Sequence, residues 1–380
     1  MCDILKHTTM KTGDKTMKKI HRTLSLFTVA AMCTALLCSC GAVPDSSQTD
    51  SSSKAATTTT ADTTADTTTT GEASSTASAP DSSVSDSSSA VTDDTKTNGI
   101  TPAMWKVTSP EGNTMVMLGS FHALKDECYP LPEAVTNAYN QADILAVECD
   151  ITSTSEDGEY MKNLMKQMLY NDNTKLSQHI SEEAYSALQT YLGYWGMDIS
   201  ALEVYRPWAV SSTLDTLLIQ DSGFDSEKGL DNYLLTTAHA DGKEIYEVES
   251  VDFQMNLLIN FSDDIYDLMF RSYEGETKES QKQALEDLYT AWKSGDIETF
   301  LEEDNEEELA GYTEEDKKIA EDYNNQMLYD RNKNMAKAAE DLMSQGKNVF
   351  YVVGAAHYAG EGGIIDLLEK DGYTAERVQY

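Results

Sequence analysis

Positive charge is what this chain has least of. In 380 residues, 28 Lys and Arg stand against 65 Asp and Glu, for a formal net charge of −37. A nucleic-acid backbone is bound by clustered Lys and Arg, so the composition argues against DNA or RNA as a partner. Cysteine is sparse where it would matter. Of six in the chain, Cys2, Cys33, Cys38 and Cys40 lie within the first forty residues, and only Cys128 and Cys149 follow. Those two read as one disulfide or two free thiols, with metal ligation a lesser alternative. Histidine is equally thin, and beyond residue 98 only His122, His179, His239 and His357 remain. After residue 40 no apolar run is long enough to span a membrane.

What is present divides the chain into three parts. Residues 1–40 end in MKKIHRTLSLFTVAAMCTALLCSC, a basic start, an apolar core and small residues, which reads as an export signal. Leu37-Cys38-Ser39-Cys40 resembles a bacterial lipobox, with Cys40 as the lipidated residue and Cys38 the poorer candidate because Leu37 precedes it. Residues 41–98 are almost entirely Ser, Thr, Asp and Ala. Such a segment buries too little apolar surface to offset its ordering entropy and reads as a disordered tether, about 40 Å in r.m.s. span. Residues 99–380 form the folded domain. The expected localisation is therefore outside the cell, held to the cell membrane through the lipid alone.

Within the domain, two stretches share a device. Val116-Met117-Leu118-Gly119-Ser120-Phe121-His122 and Val349-Phe350-Tyr351-Val352-Val353-Gly354-Ala355-Ala356-His357 are apolar runs that reach a glycine and deliver a histidine three residues later. Short apolar runs of this kind read as buried strands, and their carboxyl ends are where α/β sheets bind ligands. Trp105–Thr108 and Thr114–Gly119 read as a hairpin about the Pro110–Asn113 turn, Glu133–Gln141 as a helix and Ile144–Glu148 as a strand. The C-terminus repeats the plan, with a strand to Val353, a helix over Ile364–Lys370 and a strand over Thr374–Val378. Between them lie helical stretches over Tyr160–Leu169, Ser181–Trp195, Trp208–Gln220, Gly229–Ala240, Ser250–Phe261, Gln281–Ser294, Ile297–Glu303 and Glu314–Met343, with a strand at Ile245–Glu249. Ser181 before Glu182-Glu183 is a candidate N-cap. The acidic run Glu302–Glu308 reads as a solvated face. The expected fold is α/β, a mixed central sheet made from two related strand–Gly-x-x-His–helix–strand halves with a large helical insertion between them.

Acids arrive at strand ends as the histidines do. Glu148 follows Val147 and Glu249 follows Val248, and a carboxylate after a buried run is costly without a partner. His122, Glu148, Glu249 and His357 together suit a divalent metal. The same groups also suit metal-free chemistry, with Glu148 as general base and a histidine polarising the substrate. Arg331 either binds a carboxylate or oxyanion or pairs with an acid. His179 and His239 sit among polar residues on helical stretches and read as structural or solvent-facing.

From Trp105 to Tyr380 the chain resembles the TraB/GumN group, which is similar to the Tiki proteases and the erythromycin esterases. The resemblance rests on Gly119-Ser120-Phe121-His122, Val147-Glu148, Arg206-Pro207-Trp208, Gly229-Leu230-Asp231, Val248-Glu249-Ser250 with Gln254, Arg331-Asn332, and Gly354-Ala355-Ala356-His357 with Gly360. Two departures touch no proposed functional side chain: Ala123-Leu124 stands where members often carry a glycine after the histidine, and Val248 replaces a leucine. The resemblance implies hydrolysis through the two histidines and a strand-end glutamate, metal-dependent in the Tiki branch and built on His, Glu and water in the esterase branch. The expectation is an exported, lipid-anchored hydrolase, a metal-assisted peptidase or amidase. His122, Glu148, His357 and Arg331 would be catalytic, and His122, Glu148, Glu249 and His357 would be metal ligands. The substrate is a peptide or small molecule. The rival readings are a non-catalytic binding lipoprotein for peptide or glycan and a metal or haem-iron scavenger.

Overall fold

The computed structural model describes residues 99–152, 157–301 and 312–380. The signal, Cys40, the tether and the acidic run at Glu302–Glu308 lie outside them. The described residues build a mixed six-stranded sheet from β1 (Met104–Thr108), β2 (Thr114–Ser120), β3 (Ile144–Val147), β4 (Glu244–Glu247), β5 (Val349–Gly354) and β6 (Thr374–Arg377), in the order β4-β3-β5-β2-β1-β6. Strands β4, β3, β5 and β2 run parallel, while β1 pairs antiparallel with both β2 and β6. Every residue of β3 and β5 is buried. This is the near-continuous apolar pattern of strands covered on both faces.

The order of the strands is what makes a site. Chain order would leave β2 and β5 far apart, yet β5 inserts between β2 and β3 and pairs with both, Ser120 opposite Gly354 and Val147 opposite Val352. Both Gly-x-x-His segments and Glu148 therefore leave the same edge of three adjacent strands. The likeness between the two ends of the chain holds for strand, glycine and histidine and stops there. After α1 (Glu133–Gln141) the first unit returns through β3 in parallel, whereas β6 crosses to the far edge and pairs antiparallel with β1.

Helices supply the rest: α2 (Gly158–Gln167), α3 (Glu182–Tyr194), α4 (Pro207–Asp221), α5 (Leu230–Asp241), α6 (Val251–Ile259), α7 (Asp263–Arg271), α8 (Lys278–Ser294), α9 (Glu314–Asn324), α10 (Asp330–Ser344) and α11 (Ile364–Lys370). Ser181 does cap α3, its hydroxyl accepting from the Ala184 N–H at 3.1 Å. The stretch expected as one helix over Glu314–Met343 is interrupted by a π-helical turn at Asn325–Tyr329, between α9 and α10. Helix α8 locks onto the sheet where Trp292 Nε1 donates to the Gly119 carbonyl at 2.9 Å, and Phe121 sits among Phe224, Tyr289, Trp292 and Phe300. This aromatic cluster packs around the exit of β2. Cys128 and Cys149 are both free and buried, so the disulfide reading is set aside. Among the described residues no helix is long and apolar enough to cross a membrane.

Candidate active site

The parallel pairing of β3 and β4 continues past the strands, with Val248 N donating to Val147 O and Glu249 N to Glu148 O at 2.8 Å. It thereby sets Glu148 and Glu249 side by side. Two adjacent buried carboxylates repel and lose hydration, so each needs a positive partner. Arg331, in the first turn of α10 and 6 % exposed, supplies it to both. Its Nη2 donates to Glu148 Oε2 at 2.6 Å and to Glu249 Oε2 at 2.8 Å, and its Nε donates to Glu249 Oε1 at 2.9 Å. Nη1 donates to the carbonyl of Met327, inside the π turn, at 3.1 Å. Gln254, on α6, donates from Nε2 to Glu148 Oε2 at 2.9 Å and to Glu249 Oε2 at 2.6 Å. Its Oε1 accepts from Cys149 Sγ at 3.5 Å. Of the two roles open to Arg331, the geometry assigns pairing with acids.

That leaves Glu148 Oε1 facing away from the guanidinium, where it accepts the Gly354 N–H at 2.7 Å. Gly354 has an ordinary negative φ of −51°, so left-handed freedom is not why glycine stands there. A β-carbon at Gly354 would lie 3.0 Å from Glu148 Oε1, 3.4 Å from His122 Nε2 and 3.5 Å from His357 Cδ2. The missing side chain is the floor on which the three groups meet. His357 Nε2 lies 3.8 Å from Glu148 Oε1.

Each imidazole is held from behind. His122 Nδ1 donates to Asp231 Oδ2, in the first turn of α5, at 2.8 Å. His357 Nδ1 donates to Asn332 Oδ1 at 2.6 Å, while Asn332 Nδ2 donates to the Gly362 carbonyl at 2.9 Å and so fixes which way the amide points. Both Nε2 atoms are thereby turned toward the cavity, the arrangement by which outer partners orient histidines that act through Nε2.

The partners also divide the charge. Burial works against a charged His122, but the Asp231 carboxylate outweighs it, and the imidazole is raised to about 9. His357 has an amide where His122 has a carboxylate; burial, together with the Arg331 charge, lowers it to about 3. Burial would raise Glu148, yet Arg331, the two histidines and the Gly354 N–H hold it well below the ordinary carboxylate range. The resting site is thus a cationic His122, a neutral His357 and an ionised Glu148.

The structure therefore brings together His122, Glu148, Glu249, Arg331 and His357, and leaves His179 and His239 outside. His179 pairs with Asp263 at 2.8 Å and His239 with Asp150 at 2.7 Å. Glu249 accepts from Arg331 and Gln254 with both oxygens and does not line the cavity in front of the other groups. Roles for Asp231, Gln254 and Asn332 do not follow from the sequence, although all three stand in the segments that carry the family resemblance. The available signal was a polar residue two positions after Gly229, one after Arg331 and five after Glu249. The cavity in front of these groups measures about 60 Å³ and is lined also by the apolar Val147, Ile151, Leu257, Leu258 and Met327.

Comparison with known proteins finds relatives of low identity. A protein named Metalloprotease TIKI homolog from Nematostella vectensis is 25 % identical over 293 residues, 66 % of this chain and 61 % of that protein. Metalloprotease TIKI1 of Xenopus tropicalis is 24 % identical over 289 residues, 64 % of this chain and 55 % of its own length. The uncharacterized protein YbaP of Escherichia coli K12 is 26 % identical over 157 residues, 41 % of this chain and 56 % of its own length. The chain thus spans under two thirds of each of these relatives, and no solved structure matches it. The model of the TraB/PrgY/gumN family matches residues 103–377, all six strands and every residue of the site, and the chain belongs to that family.

Proposed function

We propose that this protein is a hydrolase of peptide or related amide bonds, acting where His122, Glu148 and His357 meet over Gly354. The observation that carries the reading is the convergence itself: three ionisable groups lie on one cavity floor, each with its far side fixed by a dedicated partner. The Tiki relatives, named as metalloproteases, support the reaction class.

A bound divalent cation would polarise the substrate carbonyl and acidify a water. The donor chemistry fits such an ion at three positions, His122 Nε2, His357 Nε2 and Glu148 Oε1, whereas Glu249, held by Arg331 and Gln254, does not line the cavity. Among the described residues no three His, Cys, Asp or Glu side chains are gathered tightly enough to close round an ion as they stand. These side chains would have to draw together to do so. Glu148 and His357 already rest in the ligating forms, ionised and neutral, whereas His122 would have to release its proton.

The chain's own residues do the rest. Arg331 and Gln254 hold Glu148 by one oxygen and leave the other toward the substrate. With no ion bound, cationic His122, backed by Asp231, is the proton donor placed for a leaving amine, and neutral His357 orients the attacking water beside Glu148. Glu249 and Gln254 position Arg331 and Glu148 without touching substrate. In this reading the signal and Cys40 deliver the domain to the outer face of the cell membrane, on the tether of residues 41–98.

The reading is tested by purifying the full chain, measuring bound metal by mass spectrometry, and assaying a peptide and ester library for wild type and His357→Ala. Hydrolysis that disappears in the folded variant supports it. Metal retained without hydrolysis of any member would favour the scavenger. Tight peptide or glycan binding without turnover would favour the binding lipoprotein.

A further inference from the structure

The apolar side of the cavity takes no part in the chemistry above. We infer that it seats a short aliphatic group of the substrate directly beside the reacting bond, and that Leu258 and Met327 set the size of group admitted.

The placement of this wall carries the inference. Helix α6 supplies Gln254, which braces Glu148, and one turn later Leu257 and Leu258, which line the same cavity. The π turn supplies Met327, whose side chain lines the cavity while its carbonyl is held by Arg331 at 3.1 Å. A π turn inside a helix is rare and concentrates at functional sites. Val147 immediately precedes Glu148, and Ile151 follows it three residues later. Leu258 and Met327 thus sit on the same elements that carry Gln254 and the carbonyl bonded to Arg331, which places this part of the wall beside the reacting groups.

Size and exposure then select the occupant. Leu258 is 1 % exposed and Met327 5 %, whereas Ile151 and Leu257 are only partly buried and form the rim. At about 60 Å³ the space is well under half the volume of a cavity that holds benzene, roughly 150 Å³. A branched chain of a few carbons fits and an aromatic ring does not. The methionine at its end adapts its shape, which suits a seat for related alkyl groups better than for one. The seat itself does not depend on turnover; only its position beside a reacting bond rests on the hydrolase reading.

The test uses full-length protein carrying methyl-labelled methionine, titrated by NMR with propanamide, 3-methylbutanamide and phenylacetamide. The Met327 methyl signal should shift with all that enter. Affinity should rise by roughly fourfold for each added methylene up to 3-methylbutanamide and fall for phenylacetamide. In Leu258→Ala the order of the last two should reverse, and Leu257→Trp at the rim should weaken 3-methylbutanamide at least tenfold. Affinities flat with tail size, or an unchanged order and strength in folded variants, overturn the inference. Should Leu258→Ala fail to fold, the half-buried Leu257→Trp decides alone. If the size order holds but no peptide with Val or Leu is cut, the seat stands and the hydrolase reading falls. If peptides are cut without regard to side-chain size, the seat falls and the hydrolase reading stands.

Discussion

Gly229→Ala isolates the positioning of His122 from the chemistry it performs. Gly229 precedes α5 with φ −50° and ψ 145°, a conformation that alanine adopts freely. On backbone grounds alone the substitution would stabilise the fold by about 0.4–1 kcal/mol, by restricting the unfolded chain. Sterics oppose this. The new β-carbon would lie 2.1 Å from the His122 carbonyl oxygen and 2.6 Å from its carbon, both backbone atoms with no rotamer to escape into. Relief takes a shift of roughly 1 Å, and a displacement of that size costs on the order of a hundredfold in rate. The bond from Leu230 N to the Phe121 carbonyl, 3.0 Å long, lies on the same seam, and so does the 2.8 Å contact from His122 to Asp231. Overpacking costs about 1–3 kcal/mol, so the clash outweighs the entropy gain. Thermal unfolding should show modest destabilisation, the imidazole NMR signals of His122 should lose the Asp231-bonded proton, and kcat/KM should fall about a hundredfold. A folded Gly229→Ala with wild-type turnover and an unshifted His122 signal would refute the argument that this glycine sets the histidine.

Other consequences are open to simpler assays. Arg331→Met should destabilise by about 3–5 kcal/mol in urea unfolding, because it leaves Glu148 and Glu249 buried without their cation; a loss under 1 kcal/mol would contradict the pairing described. Acid sensitivity should have a source outside the site. Burial would raise Asp316, but bonds from Arg271 and Thr313 hold it below its ordinary value. A depressed folded pKa gives stability that is present above the unfolded pKa, near 4, and lost as pH falls through the folded value. The stability gap between wild type and Asp316→Asn should therefore narrow below about pH 4 and hold steady above pH 5. Burial raises the thiols of both Cys128 and Cys149, so neither should react with a thiol reagent until the protein unfolds, and then both should.

How much of this could be read beforehand depends on the range of the interaction. Strand β2, helix α1 and the cap of α3 are local matters of periodicity and turn chemistry, and the sequence shows them within a residue or two. Glu148 and Glu249 were legible because a charge placed at the end of an apolar run advertises its need for a partner, and Arg331 because it is a cation at the start of a helix in an acidic chain. Which partner it takes was not legible, since Arg331 reaches across 183 positions to Glu148 and His122 across 109 to Asp231. Nor does local pattern contain the insertion of β5 between β2 and β3, which alone brings the histidines together. Helix α7 was missed although its signals were present. Ser262 caps it, Asp263 and Asp264 occupy its first turn, and Ile265, Leu268 and Met269 repeat at helical spacing. The π turn had no sequence mark that distinguishes it from the helices it joins.

The central claim is that the two Gly-x-x-His histidines form one site, and a double-mutant cycle on hydrolysis tests it most directly. Once a cleaved substrate is in hand, His122→Ala, His357→Ala and the double variant are compared with wild type, each checked for fold by circular dichroism. Groups that act as a unit lose almost everything at the first removal. The account predicts that each single variant is nearly as inactive as the double; losses that multiply, or one histidine that can be removed without effect, would contradict it.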